Sequence, residues 1–150
     1  MRVPIEDPNK RTEFKTPEQA LTAVRLIWVA LLVGQVIFFG SAMFIGRSGA
    51  MATLPASTTS VLFYVAVGLL VVVTPLAYVL RAKVRGSDRP VPFEKFVSST
   101  VVFHGMMEGV SMVGLVVMLL SGTLIPAIIV PLIAVGVMAV NFPTGADLQK

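Results

Sequence analysis

Four long apolar stretches, separated by short polar or glycine- and proline-containing segments, dominate the pattern along the chain. They run over about residues 21–45, 60–80, 96–120 and 123–140. At a rise of about 1.5 Å per residue, a helix of about 20 residues crosses the roughly 30 Å hydrocarbon core of a bilayer. The pattern therefore predicts an all-α integral membrane four-helix bundle over residues 16–142, with one transmembrane span in each stretch.

Polar residues at the ends of these stretches mark where the predicted helices begin and end. Thr16 suits a helix N-cap, and Pro17 suits the first helical position, where no amide hydrogen is needed. Residues 1–15 mix charges with two prolines and predict a flexible cytoplasmic tail, and residues 143–150 predict a second cytoplasmic tail. The turn at 121–122 is so short that the last two spans are expected to form an antiparallel hairpin.

The distribution of Lys and Arg predicts the orientation of the bundle. Eleven basic residues fall in the N-terminal region, in the loop between the second and third stretches, or in the C-terminal tail, and one falls on the other side. Because short cytoplasmic loops carry the excess of positive charge, we expect an N-in/C-in, multi-pass protein of the inner (plasma) membrane. The eleven are Arg2, Lys10, Arg11, Lys15, Arg25, Arg81, Lys83, Arg85, Arg89, Lys95 and Lys150, and the other is Arg47.

Composition supports a lipid environment and excludes several kinds of chemistry. The chain is 55% hydrophobic and 13% charged, with a mean hydropathy of +0.86. It has no Cys, which excludes disulfides, thiolate metal sites and a Cys nucleophile. Its basic residues flank apolar spans instead of alternating with aromatic residues, so no nucleic-acid partner is expected. Without a catalytic triad, an HExxH sequence or a phosphate-binding glycine loop, we expect neither an enzyme nor a cofactor.

Glu108 is the only acidic residue inside a predicted span, about twelve residues, or about 18 Å, from the start of its helix. A charged carboxylate at mid-membrane costs at least about 2.5–3.5 kcal/mol on insertion scales. The group should therefore be protonated, paired, or turned to a wet or protein-lined interior. Loss of water disfavours the anion, which lets a membrane carboxyl bind and release a proton near neutral pH. The alternative is a permanently protonated side chain that hydrogen-bonds a neighbouring helix.

Two further polar residues are candidates for the same proton- or ion-binding site. His104, the only histidine, precedes Glu108 by one helical turn, so the two side chains can touch and relay a proton. A neutral ring that hydrogen-bonds between helices is the simpler interpretation of His104. Gln35 falls at nearly the depth of Glu108 and is a candidate partner for it, or forms an ordinary interhelical hydrogen bond. No further ligands for a metal lie at this depth. Arg25 is expected to extend to the cytoplasmic surface.

Small residues predict where helices approach closely. Gly105 and Gly109 form a GxxxG pattern, and Gly114 follows on the same helix, so all three are candidate helix-packing positions. In the last apolar stretch, Pro126 and Pro131 predict a bent helix.

Residues 89–117 resemble the second half of an ATP-synthase rotor-ring proteolipid. In that family an Arg- and Pro-containing loop, here Arg89-Pro90, precedes a helix with an ion-binding acid. A Gly-Leu-Val stretch follows six residues later, here at residues 114–117. The resemblance implies that Glu108 is a proton-binding acid. The chain departs from the family because the preceding span contains Gly68 alone instead of a glycine repeat, and because two more spans flank the hairpin.

The chain as a whole is similar to an uncharacterised family of small bacterial four-span membrane proteins. The residues that carry this likeness are Trp28, Gly34-Gln35, Glu108-Gly109 and the Asn-Phe-Pro-Thr sequence at 141–144, and it implies no activity. We therefore expect a non-catalytic structural or assembly subunit, associated with copies of itself or with other membrane subunits. The alternative is a proton- or cation-coupling subunit that uses Glu108 and His104.

Overall fold

A computed structural model of the chain describes residues 16–48, 54–87, 90–122 and 125–148. These residues form α1 (Pro17–Ser48), α2 (Ala56–Arg85), α3 (Phe93–Ser121), α4 (Ile129–Val140) and a short 3-10 helix (Ala146–Leu148), and they contain no strand. The predicted all-α chain with four helices is confirmed. The tail predicted over residues 1–15, the basic residues Arg89 and Lys150, and residues 123–124 of the fourth stretch lie outside the described residues.

The first three helices are each long and apolar enough to cross a membrane, whereas α4 has 12 residues. The outward faces of α1 and α2 are covered with large apolar side chains against which none of the described residues packs. Examples are Val36, Phe44, Tyr64 and Val71, each at least 65% exposed. In water such a surface would be strongly unfavourable. The length and composition of these helices therefore suggest a membrane protein.

α3 is the central helix of the bundle. It packs against α1, α2 and α4, while α1 and α2 have little direct contact with each other. Thirteen of its 29 residues are buried, against three of the 30 in α2. The core is therefore a layer of apolar side chains between one side of α3 and the helices that cover it, with Phe103, Met107 and Met138 among its largest members.

The helices alternate in direction, and one end of the bundle collects positive charge. α1 and α3 begin, and α2 and α4 end, where Ala20, Phe96 and Leu148 form a small apolar cluster. We call this the basic end of the bundle because the side chains of Arg81, Lys83, Arg85 and Lys95 lie there, at the end of α2 and the start of α3.

The fourth apolar stretch follows α3 along its length but is only partly helical. Residues 125–128 form a turn, and α4 begins at Ile129. Pro126 therefore precedes the helix, and Pro131 lies in its first turn, where the missing amide hydrogen displaces no intrahelical bond. Instead of one bent helix over 123–140, the chain makes a turn followed by a shorter helix.

The residues after α4 fold back onto the bundle. In this C-terminal segment, defined as residues 141–148, Pro143, Gly145 and Leu148 are buried. Leu148 joins the apolar cluster at the basic end, and a Cβ atom on Gly145 would lie 3.0 Å from a methyl group of Leu21. The part of the predicted C-terminal tail that the structure describes is thus packed against the starts of α1 and α3.

Gly114 allows α3 and α4 to approach closely, as its predicted packing role requires. A Cβ atom on Gly114 would lie 2.6 Å from Cδ of Pro131 and 3.1 Å from Cβ of Val130. Both neighbours are rigid: the first is a proline ring, and the second is branched at Cβ. The two helices can therefore keep this spacing only if position 114 lacks a side chain.

Gly114→Ala is expected to lower the free energy of unfolding by about 1–3 kcal/mol, because the added methyl group overpacks the contact with Pro131. Thermal unfolding of the purified protein in detergent measures the change. Gly136→Ala is the matched control, since a Cβ atom there meets no other atom within 4 Å. Equal melting temperatures for the two variants would contradict the proposed close contact.

Candidate functional site

Glu108 lies midway along α3, on the side that faces α1. A Cβ atom placed on Gly34 of α1 would lie 3.9 Å from Oε1 of Glu108, so the carboxyl group rests against the backbone of α1. The side chain is partly exposed. Among the residues that the structure describes, no hydrogen bond or ion pair reaches this carboxyl group. Glu108 is thus an acidic side chain in apolar surroundings without a partner from the described chain.

Gln35 does not pair with Glu108 but holds three helices together. Its side chain is buried, and the hydroxyl group of Ser111 on α3 donates to its Oε1 at 3.2 Å. Its Nε2 donates to the sulfur atom of Met138 on α4 at 3.4 Å. The predicted alternative for Gln35, an interhelical hydrogen bond, is therefore the one that forms. Sequence reasoning missed Ser111, although its position three residues after Glu108 was the available signal.

His104 is a buried residue of α3. Its side chain makes one hydrogen bond, to the backbone of its own helix. Nδ1 lies 2.8 Å from the carbonyl oxygen of Thr100. Because a carbonyl can only accept, Nδ1 must carry the hydrogen. Nε2 is buried without a hydrogen-bond partner. No hydrogen bond or ion pair joins His104 to Glu108, so the relay that their spacing suggested is not formed, and the interhelical hydrogen bond expected of His104 is not made.

Asn141, the first residue of the C-terminal segment, connects α2 to the end of α4. Arg81 Nη1 donates to its Oδ1 at 2.8 Å. Its Nδ2 lies 2.6 Å from the hydroxyl oxygen of Tyr78 and 2.9 Å from the carbonyl oxygen of Val137. The side chain therefore uses both ends of its amide group. In the sequence, Asn141 was noted only as part of a family resemblance. Its position, one residue after the last apolar stretch, gave no indication of these contacts.

Side chains from the start of α1 bind the same segment from the other side. Arg25 Nε donates to the carbonyl oxygen of Pro143 at 3.2 Å, and its guanidinium lies 5.5 Å from the centre of the Phe142 ring. Trp28 Nε1 donates to the carbonyl oxygen of Met138 at 3.3 Å, and the Trp28 and Phe142 rings meet edge to face at 4.9 Å. Arg25 is exposed, as expected, but it also fastens the C-terminal segment.

Two arginines of α2 lie over aromatic rings of α3. The guanidinium of Arg81 lies 5.1 Å from the centre of the Phe103 ring, and that of Arg85 lies 5.4 Å from the centre of the Phe96 ring. Arg85 Nε also donates to the hydroxyl group of Ser99 at 3.2 Å. Cation–π contacts of this kind contribute roughly 0.5–2 kcal/mol each, depending on how far water is excluded. The basic end of α2 is thus anchored on α3 by charge as well as by apolar contact.

The side of α3 that points away from α4 is open. After the first turn of α3, its exposed residues are spaced three, four or seven positions apart, as one helical face requires. They are Ser98, Val102, Gly105, Gly109 and Val116, and we call this surface the open face of α3. A Cβ atom on Gly105 or Gly109 would meet no atom within 4 Å. Among the residues that the structure describes, the helix packing predicted for these two glycines is therefore not made, unlike that of Gly114.

The described residues contain no group of three or more His, Cys, Asp or Glu side chains that could hold a metal ion. Glu108 and His104 are the two ionisable residues of the candidate site. Glu108 faces α1, whereas His104 faces the end of α4. The chemistry available is therefore one unpaired carboxyl group beside an open helix face, and one buried imidazole with a free nitrogen.

Ser111→Ala is expected to destabilise the bundle by about 1 kcal/mol, because it leaves the buried Oε1 of Gln35 without a donor. Thermal unfolding in detergent measures the loss. Ser41→Ala is the control, since the hydroxyl group of Ser41 donates to Ile37 of its own helix on an exposed face. If the two variants unfold at the same temperature, the Gln35–Ser111 bond does not hold α1 to α3.

Comparison with known proteins adds no identification. No family model, curated protein or solved structure matches the chain. The resemblances to rotor-ring proteolipids and to small four-span proteins therefore stay predictions.

Proposed function

We propose that the chain is a multi-pass protein of the plasma membrane, with both termini on the cytoplasmic side. Three helices of spanning length and an apolar fourth segment that follows α3 support four crossings. The described Lys and Arg residues near α2 and α3 collect at the basic end of the bundle, which matches the charge bias of cytoplasmic loops. In this arrangement Glu108 lies close to the middle of the bilayer.

Within that membrane, we propose a non-catalytic role as a structural or assembly subunit. The observation that carries this proposal is the unpaired carboxyl group of Glu108 at the edge of the open face of α3. Lipid gives apolar helices no hydrophobic reason to associate, so membrane helices assemble through close backbone packing across small residues and through hydrogen bonds. The open face offers small residues at Gly105 and Gly109, and Glu108 offers the hydrogen bond.

Other polar residues already hold the chain's own helices together, so Glu108 is not needed for that purpose. Gln35 and Ser111 join α1 to α3 at mid-bundle, and Asn141 and Arg81 join α2 to the end of α4. A helix of another subunit that packs on the open face would supply the missing partner of Glu108. It would also cover the part of α3 that α1, α2 and α4 leave exposed.

A proton- or cation-coupling subunit is the second candidate. It is favoured by the fact that no hydrogen bond among the described residues locks the Glu108 carboxyl group, which leaves the group free to bind a proton. In this candidate Glu108 acts without His104, because the two side chains make no hydrogen bond.

Glu108→Gln and Glu108→Leu separate these candidates. The amide of glutamine can donate and accept hydrogen bonds but does not bind and release a proton. The assembly proposal therefore expects Glu108→Gln to form the wild-type complex and Glu108→Leu to lose it. Native gel electrophoresis of mildly solubilised membranes, together with recovery of partners on a tagged chain, measures the assembly. Loss of proton-dependent transport in reconstituted vesicles of Glu108→Gln would favour the coupling candidate instead.

Gly109→Leu tests the open face directly. A Cβ atom at position 109 meets no atom within 4 Å, so the isolated subunit should unfold at the wild-type temperature while the complex dissociates. Gly68→Leu is the matched control, because Gly68 is equally exposed on α2 and a Cβ atom there also has no neighbour within 4 Å. Complexes of unchanged size in both Gly109→Leu and Glu108→Leu would refute the assembly proposal.

A further inference from the structure

Nε2 of His104 is a buried ring nitrogen without a hydrogen-bond partner, and no other buried side-chain nitrogen or oxygen in the described residues shares this state. The ring is 2% exposed. Since the hydrogen on Nδ1 is committed to Thr100, the neutral ring presents Nε2 as a bare lone pair, which can only accept. Buried polar atoms are nearly always paired, so an exception of this kind calls for a physical explanation.

Two hydrogen-bond acceptors lie near the ring. The backbone carbonyl groups of Met138 and Asn141, where α4 ends, lie close to the ring, although neither forms a hydrogen bond with Nε2. The carbonyl oxygen of Met138 already accepts from Trp28 Nε1 and has a second lone pair. In neutral His104, Nε2 is an acceptor and cannot form a hydrogen bond with either carbonyl oxygen. Once protonated, Nε2 becomes a donor, and both carbonyl oxygens can accept from it.

Few charges oppose or favour a proton at this position. From α2, the Arg81 guanidinium and the phenol group of Tyr78 are both bound to the side chain of Asn141. From α1, Arg25 contacts the C-terminal segment at Pro143. On α3 itself, Glu108 lies one turn further on and makes no bond to the ring. Neither α4 nor residues 141–146 contain an ionisable side chain.

We propose that His104 is a proton-binding site that fastens the end of α4, and with it the C-terminal segment, to α3. A hydronium ion transfers its proton to Nε2 and becomes water, so one O–H bond breaks as the N–H bond forms, and the new N–H donates to the carbonyl groups at the end of α4. When the proton leaves, this connection is lost, and the C-terminal segment is held by its remaining bonds to Arg25 and Arg81. This site is separate from the assembly role, because it concerns the attachment of α4 and the C-terminal segment to α3 and not the open face.

The chain provides its own reporter for this event. Trp28 is the only tryptophan, and it contacts both Met138 and Phe142. Its fluorescence should therefore change as the segment tightens or loosens between pH 5 and pH 8, where imidazole groups titrate. As the chain has no Cys, Leu148→Cys adds a single thiol at a buried position of the segment, and its labelling rate measures release independently.

In detergent-purified protein we expect Leu148→Cys to label about fivefold or more faster at pH 8 than at pH 5, once normalised to an exposed thiol at Ser87→Cys. The Trp28 signal should follow the same curve. His104→Gln, whose amide donates at every pH, should abolish both transitions, and Glu108→Gln should keep them. The proposal is wrong if the transitions persist in His104→Gln, or if the wild-type chain and its Leu148→Cys reporter show none.

Discussion

The packing of three chain segments against one side of α3 is the arrangement on which the rest of the structure depends. α1, α2 and the fourth segment each bury a narrow stripe on α3 and keep the rest of their surface apolar and exposed. The approach of α4 is set by the absence of a side chain at Gly114. Because all three partners take the same side, no other described residue covers the opposite side of the central helix. Because of this asymmetry, Gly105, Gly109 and Glu108 are accessible to another helix.

Polar side chains satisfy one another at two levels of the bundle. At mid-height, Gln35 binds Ser111 and the sulfur atom of Met138. At the basic end, Asn141 binds Arg81 and Tyr78, while Arg25 and Trp28 hold the C-terminal segment. Where water is scarce, each such bond replaces one that solvent would otherwise make. By contrast, neither the carboxyl group of Glu108 nor Nε2 of His104 has a hydrogen-bond partner among the described residues, so each can bind a partner or a proton.

The sequence predicted the helices well, because long apolar runs are local signals, and Glu108 lies midway along one of them, α3. It predicted the packing at Gly114 but could not separate it from Gly105 and Gly109. α3 is apolar on all sides, so hydrophobic periodicity does not show which face is covered. The bonds from Gln35 to Ser111 and from Asn141 to Arg81 left no local signal in the sequence, since each joins residues more than 50 positions apart. α4 is shorter than predicted because it begins after Pro126, with Pro131 in its first turn, and does not run through both prolines as one bent helix.

Carbodiimide labelling of Glu108 is the most direct test of the claim that this carboxyl group lies in the bilayer at an interface between subunits. An apolar carbodiimide should modify Glu108 in the dissociated, detergent-purified chain and leave it unmodified in intact membranes, where a partner helix covers it. A water-soluble carbodiimide should fail in both cases. Rapid modification by the water-soluble reagent in intact membranes would place the carboxyl group in bulk water and contradict the account.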